Sequence, residues 1–432
     1  MKKKLKCCIR LCDVVYIEFR FFHSLELFLF YFMELEYIDS FGDHIPWARQ
    51  HPGDMINSLA FSSDNKLIAS GDSSGRVVIF EIKQPRKYSS TPSVEFQCQI
   101  KAHSPSFDYM KSEMSEPQIN GIDFIPSMSL NPMFVTCNSN EAKLWRLEKI
   151  NKIIWQKNDE NLPPTEFRLN HVYNPVLINS YHDLKMTYIN DIICSHDQHS
   201  FITIDSNSLL LWDTERNIDP LILYSNNFKD PVLTACSIPN NHALSFEILI
   251  GDDSGMCRML DMRQQAVKLT PSMYFKTYDF SFQNGVNGCN SISSLAFCQN
   301  SYSFVARTFG DLQIWDIRSP HKPLAAKQIQ LFDQATMREL ARTNALKDKF
   351  QTTMLSDGTV VSGLYTTDFV TWNHVDNELF NHRALSTKMI DVPPKPGRDF
   401  NHKVTCAASS NNNSLLSIAS SGSLYFYQTQ IN

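Results

Sequence analysis

Residues 310–318 read GDLQIWDIR, and this stretch decides the fold. A polar turn ends in Gly310, an alternating strand follows, and Trp315 stands five positions after the glycine. The same figure recurs along the chain. It pairs Gly75 with Phe80 (GRVVIF), Asn140 with Trp145 (NEAKLW) and Asn207 with Trp212 (NSLLLW). It then pairs Gly255 with Leu260 (GMCRML), Thr367 with Trp372 (TDFVTW) and Gly422 with Tyr427 (GSLYFY). A tight hairpin turn often requires a residue at positive φ, which Gly adopts freely and Asn tolerates. All copies but the one at Thr367 carry Gly or Asn there, which predicts a left-handed residue at those turns.

Upstream of the turns lie short apolar strands such as LIAS (67–70), FITI (201–204) and EILI (247–250). Before those come INSLAF (56–61), INGIDF (119–124), INDIIC (189–194) and SISSLAF (291–297). Strand, strand, turn, strand, at seven sites, is a repeated antiparallel meander. The expected fold is all-β, a seven-bladed β-propeller, because closing seven blades into a ring leaves almost no exposed sheet edge. The turn-to-turn intervals are 65, 67, 48, 55, 57 and 55 residues. Those exceed the roughly 40–45 residues of one WD-repeat blade, so the excess belongs in loops or extended hairpins. IWDIR (314–318) and LDMR (260–263) carry WD-repeat signatures. Trp315 is expected to fill an interblade core, and Asp316, Asp261 and Arg263 to serve structure. Residues 333–346 (DQATMRELARTNAL) break the pattern. Met337, Leu340, Ala341 and Leu346 fall on one helical face, which predicts a short helix inserted between blades five and six.

With 432 residues and 43% apolar composition the chain has ample core material. The net charge of −5 argues against nucleic-acid binding by bulk charge. Residues 1–32 carry six basic and three acidic side chains, so the rest holds 34 basic and 42 acidic, a net −8. The basic start MKKK and its apolar continuation have the make-up of a secretory leader. However, Arg10, Asp13, Glu18 and Arg20 interrupt the apolar run, and no small-residue cleavage site follows. No stretch reaches the roughly 20 apolar residues of a membrane span. Residues 1–32 therefore read as an extension outside the domain or an unused upstream start, with the propeller expected over 33–432. The eleven cysteines show no CxxC pairing, as suits free thiols in a reducing compartment.

No phosphate-cradling glycine loop, HExxH or zinc-spaced Cys/His set occurs. His196 and His199 (HDQH) read as solvated turn residues, since a metal site needs three or four ligands. His103, Ser104 and Asp108 lie close in sequence without forming a triad. The expectation is a binding protein with no active site, cofactor or metal.

Several segments resemble one family, the regulatory B subunits of protein phosphatase 2A. SFDYMKSEMSEPQINGIDF (106–124) is similar to that family's FDYLKS…KINKIRW segment between the first two blades. ASGDSSGRVVIFE (69–81), LDMR (260–263), DKF (348–350) and the ending SLYFYQTQIN (423–432) add to the likeness, which runs from about residue 54 to the end. The resemblance implies a regulatory, substrate-recruiting subunit of a serine/threonine phosphatase. Its partners would be a helical-repeat scaffold, the catalytic subunit and phosphoprotein substrates. The expected location is the cytoplasm, with the nucleus second. Phe107, Asp108, Tyr109, Met110, Lys111 and Ser112 would form the catalytic-subunit contact, with Met110 where the family places a Leu. Asp205, Ser206, Val232, Asn344 and Lys349 would lie on the substrate face. Ser206 stands where a second Asp is usual, Asn344 replaces an acid, and Lys229 replaces a Leu. The blade-two hairpin that rests on the scaffold in the family corresponds to about 148–178, shorter and differently charged here. The rival reading is a WD-repeat scaffold of another assembly.

Overall fold

The computed structural model describes residues 33–431 apart from 43–50, 84–90, 109–112, 128, 157–165, 183–186, 217, 228, 241–243, 265–269, 279–289, 300–301, 344, 346–347 and 385–402. Its strands form seven four-stranded antiparallel blades. The first strand, β1 (Met33–Phe41), belongs to the last blade. Blade one is Ile56–Phe61, Leu67–Asp72, Arg76–Lys83 and Ser93–Lys101 (β2–β5). A small hairpin follows, Ser106–Asp108 and Glu113–Ser115 (β6, β7). Blade two is Gly121–Phe124, Met133–Cys137, Ala142–Gln156 and Glu166–Tyr181 (β8–β11). Blade three is Ile189–Cys194, Ser200–Asp205, Ser208–Asp213 and Leu221–Ser225 (β12–β15). Blade four is Leu233–Ser237, Glu247–Asp252, Met256–Asp261 and Met273–Lys276 (β16–β19). Blade five is Ser294–Phe297, Ser303–Arg307, Asp311–Asp316 and Ala325–Gln328 (β20–β23). Blade six is Thr353–Met354, Thr359–Gly363, Asp368–Asn373 and Glu378–Arg383 (β24–β27). Blade seven is Val404–Ser409, Leu415–Ser420 and Ser423–Ile431 (β28–β30), with β1 as its outer strand.

The apolar runs become second strands buried along their whole length, as in β3, β13 and β29. Each such strand lies inside its own sheet and between two neighbouring blades, so both of its faces are apolar. Trp315 is fully buried among Leu249 and Phe275 of blade four and Leu295 and Phe304 of blade five, the interblade position expected for it. Asp316 accepts the Arg318 backbone N–H at 2.8 Å and pairs with its guanidinium at 2.6 Å, while Asp261 holds Arg263 in the same way.

Two local expectations need correction. Of the seven turn residues, Gly75 and Gly255 alone sit at positive φ, +82° and +84°. There Asp72 or Asp252 folds the turn by accepting two backbone N–H groups. At the Asn140 turn the capping oxygen is that of Asn138, which accepts from Asn140 and Glu141 N–H and removes the need for a left-handed residue. In the last blade Ser421, not Gly422, takes the positive φ. The inserted helix, α1, runs over Gln334–Arg342 and is capped by Asp333, whose side chain accepts the Thr336 N–H at 3.0 Å. Met337 and Leu340 are buried against Phe309, Phe350 and Tyr365, but Ala341 faces solvent. Leu346 lies outside the described residues.

Candidate protein-interaction face

Alternating strand direction fixes which residues can meet. In each blade the turn between the second and third strands shares an end of the ring with the link to the next blade. The β6–β7 hairpin, the 206–207 turn, Val232, α1 and Lys349 all belong to such turns or links, so they share one face.

The hairpin is rooted on blade two at both ends. On the entry side His103 is completely buried. Its Nε2 is 3.0 Å from Thr136 Oγ1 and its Nδ1 is 3.1 Å from Glu141 Oε1, while Trp145 Nε1 donates to Thr136 Oγ1 at 3.2 Å. Burial lowers the His103 pKa, and a neutral ring protonated on Nδ1 satisfies every member of this chain. Burial works against the Glu141 charge, but the His103 hydrogen bond and Lys143 at 2.7 Å outweigh it and hold the carboxyl pKa at about 2. Lys143 also donates to Ala102 O at 3.1 Å. On the exit side Asn138 Nδ2 donates to Ser115 Oγ at 3.3 Å and Glu116 O at 3.1 Å. The hairpin therefore stands on a fixed base. Phe107 and Met114 are direct cross-strand partners and so share one side of it, 46% and 64% exposed. Tyr109, Met110, Lys111 and Ser112, between these strands, lie outside the described residues, as does the Asp108 side chain.

Below this face the first strands of all seven blades line a central channel of about 390 Å³. Lys349 reaches into it from the link before β24. Its ammonium donates to Asn120 O at 2.9 Å and Asn190 O at 3.0 Å and pairs with Asp191 at 2.8 Å. Burial works against its charge, but Asp191 outweighs that and raises the pKa above the usual lysine value. Two residues further on, Gln351 bonds both backbone groups of Leu59, accepting from N at 2.9 Å and donating to O at 2.6 Å. This link thus ties blade six to blades one, two and three.

A WD domain, G-beta repeat model matches residues 47–81. The chain is 24% identical over 436 residues to the gamma isoform of the 55 kDa regulatory B subunit of serine/threonine-protein phosphatase 2A from Macaca fascicularis, covering 90% of this chain and 96% of that one. It is also 24% identical over 427 residues to the beta isoform of the same B subunit from Sus scrofa, covering 88% and 95%. The chain is thus similar to B subunits of this kind along nearly its whole length.

Asp205 does not present its carboxylate. It is 1% exposed and accepts the N–H groups of Thr187 at 2.8 Å and Tyr188 at 2.6 Å, together with the Thr187 hydroxyl. The bend at 187–188 needs an acceptor under it, and Asp205 is that acceptor. Lys349 likewise spends its ammonium on the channel wall. Ser206 and Val232 remain part-exposed on the face, Lys229 is exposed, and Asn344 lies outside the described residues. The 148–178 stretch belongs to the longest strand pair among the described residues, 15-residue β10 against 16-residue β11, in register to Gln156 and Glu166. His196 and His199 do not converge: one bonds Pro239 O at 3.0 Å, the other Glu215 at 3.1 Å. Three features went unread in the sequence, namely the Trp145–Thr136–His103–Glu141 chain, the Gln351 clasp and the β6–β7 pairing. The Ala-His pair at 102–103, placed before the next blade, was the available signal for the first.

Proposed function

We propose that this chain is the regulatory, substrate-recruiting subunit of a serine/threonine phosphatase of the 2A type. The observation that carries the reading is the match to two named regulatory subunits along nearly their whole length. The rooted β6–β7 hairpin supports it, since binding residues concentrate on loops held by rigid scaffolds. Its tip, Tyr109–Ser112, meets the catalytic subunit. The β10–β11 arm, about 50 Å of paired strand at roughly 3.3 Å per residue, meets a helical-repeat scaffold. The remaining face receives phosphoprotein substrates. The protein acts in the cytoplasm and secondarily in the nucleus; the seven described cysteines, all free thiols, support a reducing compartment.

Pull-down of the phosphatase catalytic subunit tests the reading. Met110→Asp adds a charge that must be desolvated on binding. It is expected to weaken capture at least tenfold while the circular dichroism spectrum and melting point stay those of the parent. A folded mutant that captures as well as the parent removes the contact. A parent that captures no catalytic subunit removes the phosphatase role and leaves a scaffold of another assembly.

A further inference from the structure

The opposite face of the ring carries a second surface. A cavity of about 520 Å³ opens between blades three and four, with Leu211, Phe246 and Met262 as its apolar walls and His196 and Asp197 at its edge. Phe246 is 55% exposed, and Ile218 and Leu221, at the same end of blade three, are 59% and 61% exposed. Apolar side chains grouped around a cavity in this way mark an interaction site more often than scattered ones do. The rim is acidic. Asp197, Asp213, Glu215, Glu247 and Asp261 stand at this end of the two blades, against Arg216 and Arg263. Arg263 is neutralised by its two-pronged pairing with Asp261. Glu247 has no ion-pair partner among the described residues and lies directly across the ladder from Asp261.

We propose that this groove is occupied by the chain's own basic N-terminal stretch, residues 2–10. Three observations converge on that occupant. First, KKKLKCCIR carries five positive charges and no negative ones, interleaved with Leu5 and Ile9, so it matches both the acid rim and the apolar walls. Second, strand direction places its attachment point on the correct face. Met33 pairs with Ile431, at the end of blade seven opposite the β6–β7 hairpin, so the start of β1 lies on the groove side. Third, the tether reaches. Blades three and four lie across the ring from blade seven, a path of about 40–50 Å for a domain of this size. The residues between Arg10 and Met33 span up to about 70 Å when extended. The segment would insert an apolar side chain between Phe246 and Met262 and lay its lysines along Asp197, Glu215 and Glu247.

Carbodiimide cross-linking of the full chain, read by peptide mass spectrometry on an equal mixture of ¹⁴N- and ¹⁵N-labelled protein, tests this. The expected result is links from Lys2, Lys3, Lys4 or Lys6 to Glu247, Glu215 or Asp197 within one isotopic chain. Phe246→Ala is expected to reduce those links at least fivefold without shifting the melting point, because its ring is more than half exposed. Glu247→Gln isolates the charge contribution and is expected to reduce the remaining links to Glu215 and Asp197. Absent links, links spread evenly over the acids of both faces, or links insensitive to Phe246→Ala overturn the proposal. Links confined to mixed isotopic pairs also overturn it and assign the groove to a second copy. The phosphatase reading is tested separately, by catalytic-subunit capture through the β6–β7 hairpin on the other face.

Discussion

Asp123 and Glu141 show how neighbours decide what one carboxyl does. Asp123 lines the channel, half-buried. Burial, and then the charge of Asp191, push its pKa up to about 7 against the pull of the Cys194 and Phe124 N–H groups. In the unfolded chain the same group ionises near 3.9. Between these values the folded protein holds the extra proton, so stability falls as pH rises through this window. Urea unfolding at steps from pH 5 to 8 should show that decline, and Asp123→Asn should flatten it. The amide replaces one of two accepting oxygens, so the variant loses about 1–3 kcal/mol at every pH; the slope, not the offset, is the test. An unchanged slope would mean that Asp123 is ionised in the fold. Glu141 is the opposite case, held at about 2 by His103 and Lys143 against burial. Its contribution is present above about pH 4.5 and is lost as the pH falls from there through about 2. Neither behaviour is legible in sequence. A carboxylate's role depends on which distant backbone groups the ring brings to it, and the same reason hid the commitment of Asp205 and Lys349 to the structure.

At the scale of single elements, the second and third strands of each blade were readable because both faces are buried and their apolar runs are local. The outer strands were not. Those in blades five and six, AAKQ and ELFNHR, are part-exposed along their length and carry no alternation. The β6–β7 pairing is three residues a side, too short for any period. The turns divide by mechanism, and substitution separates them. A Cβ at Gly75 would stand 2.3 Å from His103 O and 2.7 Å from Pro117 O, on a backbone at φ +82°. A Cβ at Gly310 meets its nearest neighbour, Gln330 O, at 3.1 Å, and its φ is not positive. Gly75→Ala should therefore cost more than about 2 kcal/mol, combining left-handed strain with backbone clash. Gly310→Ala should cost less than about 1 kcal/mol. Urea midpoints of the two variants check this, and equal losses would show that Gly310 also serves a steric role. His103 anchors the hairpin as well, so Gly75→Ala should also increase tryptic cleavage at Lys111.

The whole ring depends on a pairing between its two ends in sequence. β1 lies antiparallel to β30 from Met33↔Ile431 to Phe41↔Leu424, with one bulge after Tyr37. Ile38 and Phe41 pack into the core shared by blades seven and one, and Leu35 and Tyr37 into that shared by blades six and seven. The Phe41 ring lies 4.7 Å from Phe80 and 6.0 Å from Phe426. No local pattern announces such a strand, because its partner lies at the far end of the chain; the seven turns give the number of blades but not how the ring is shut. The structure does give the consequence of cutting on either side of β1. A chain beginning at Met33 keeps every described strand and every core residue, so its melting point should stay within about 3 °C of the parent, a change under about 1 kcal/mol. Any docking of residues 2–10 on the far face involves surface groups and fits within that margin. A chain beginning at Asp43 strips β30 of its outer partner and opens two interblade cores at once. Several large apolar side chains at about 1.5–3 kcal/mol each are then exposed. That loss is comparable to the whole stability of a domain, so this chain should aggregate or melt at least 10 °C lower. Thermal melts of the three proteins separate the cases. If the Met33 chain fails as badly as the Asp43 chain, residues 1–32 are part of what closes the ring.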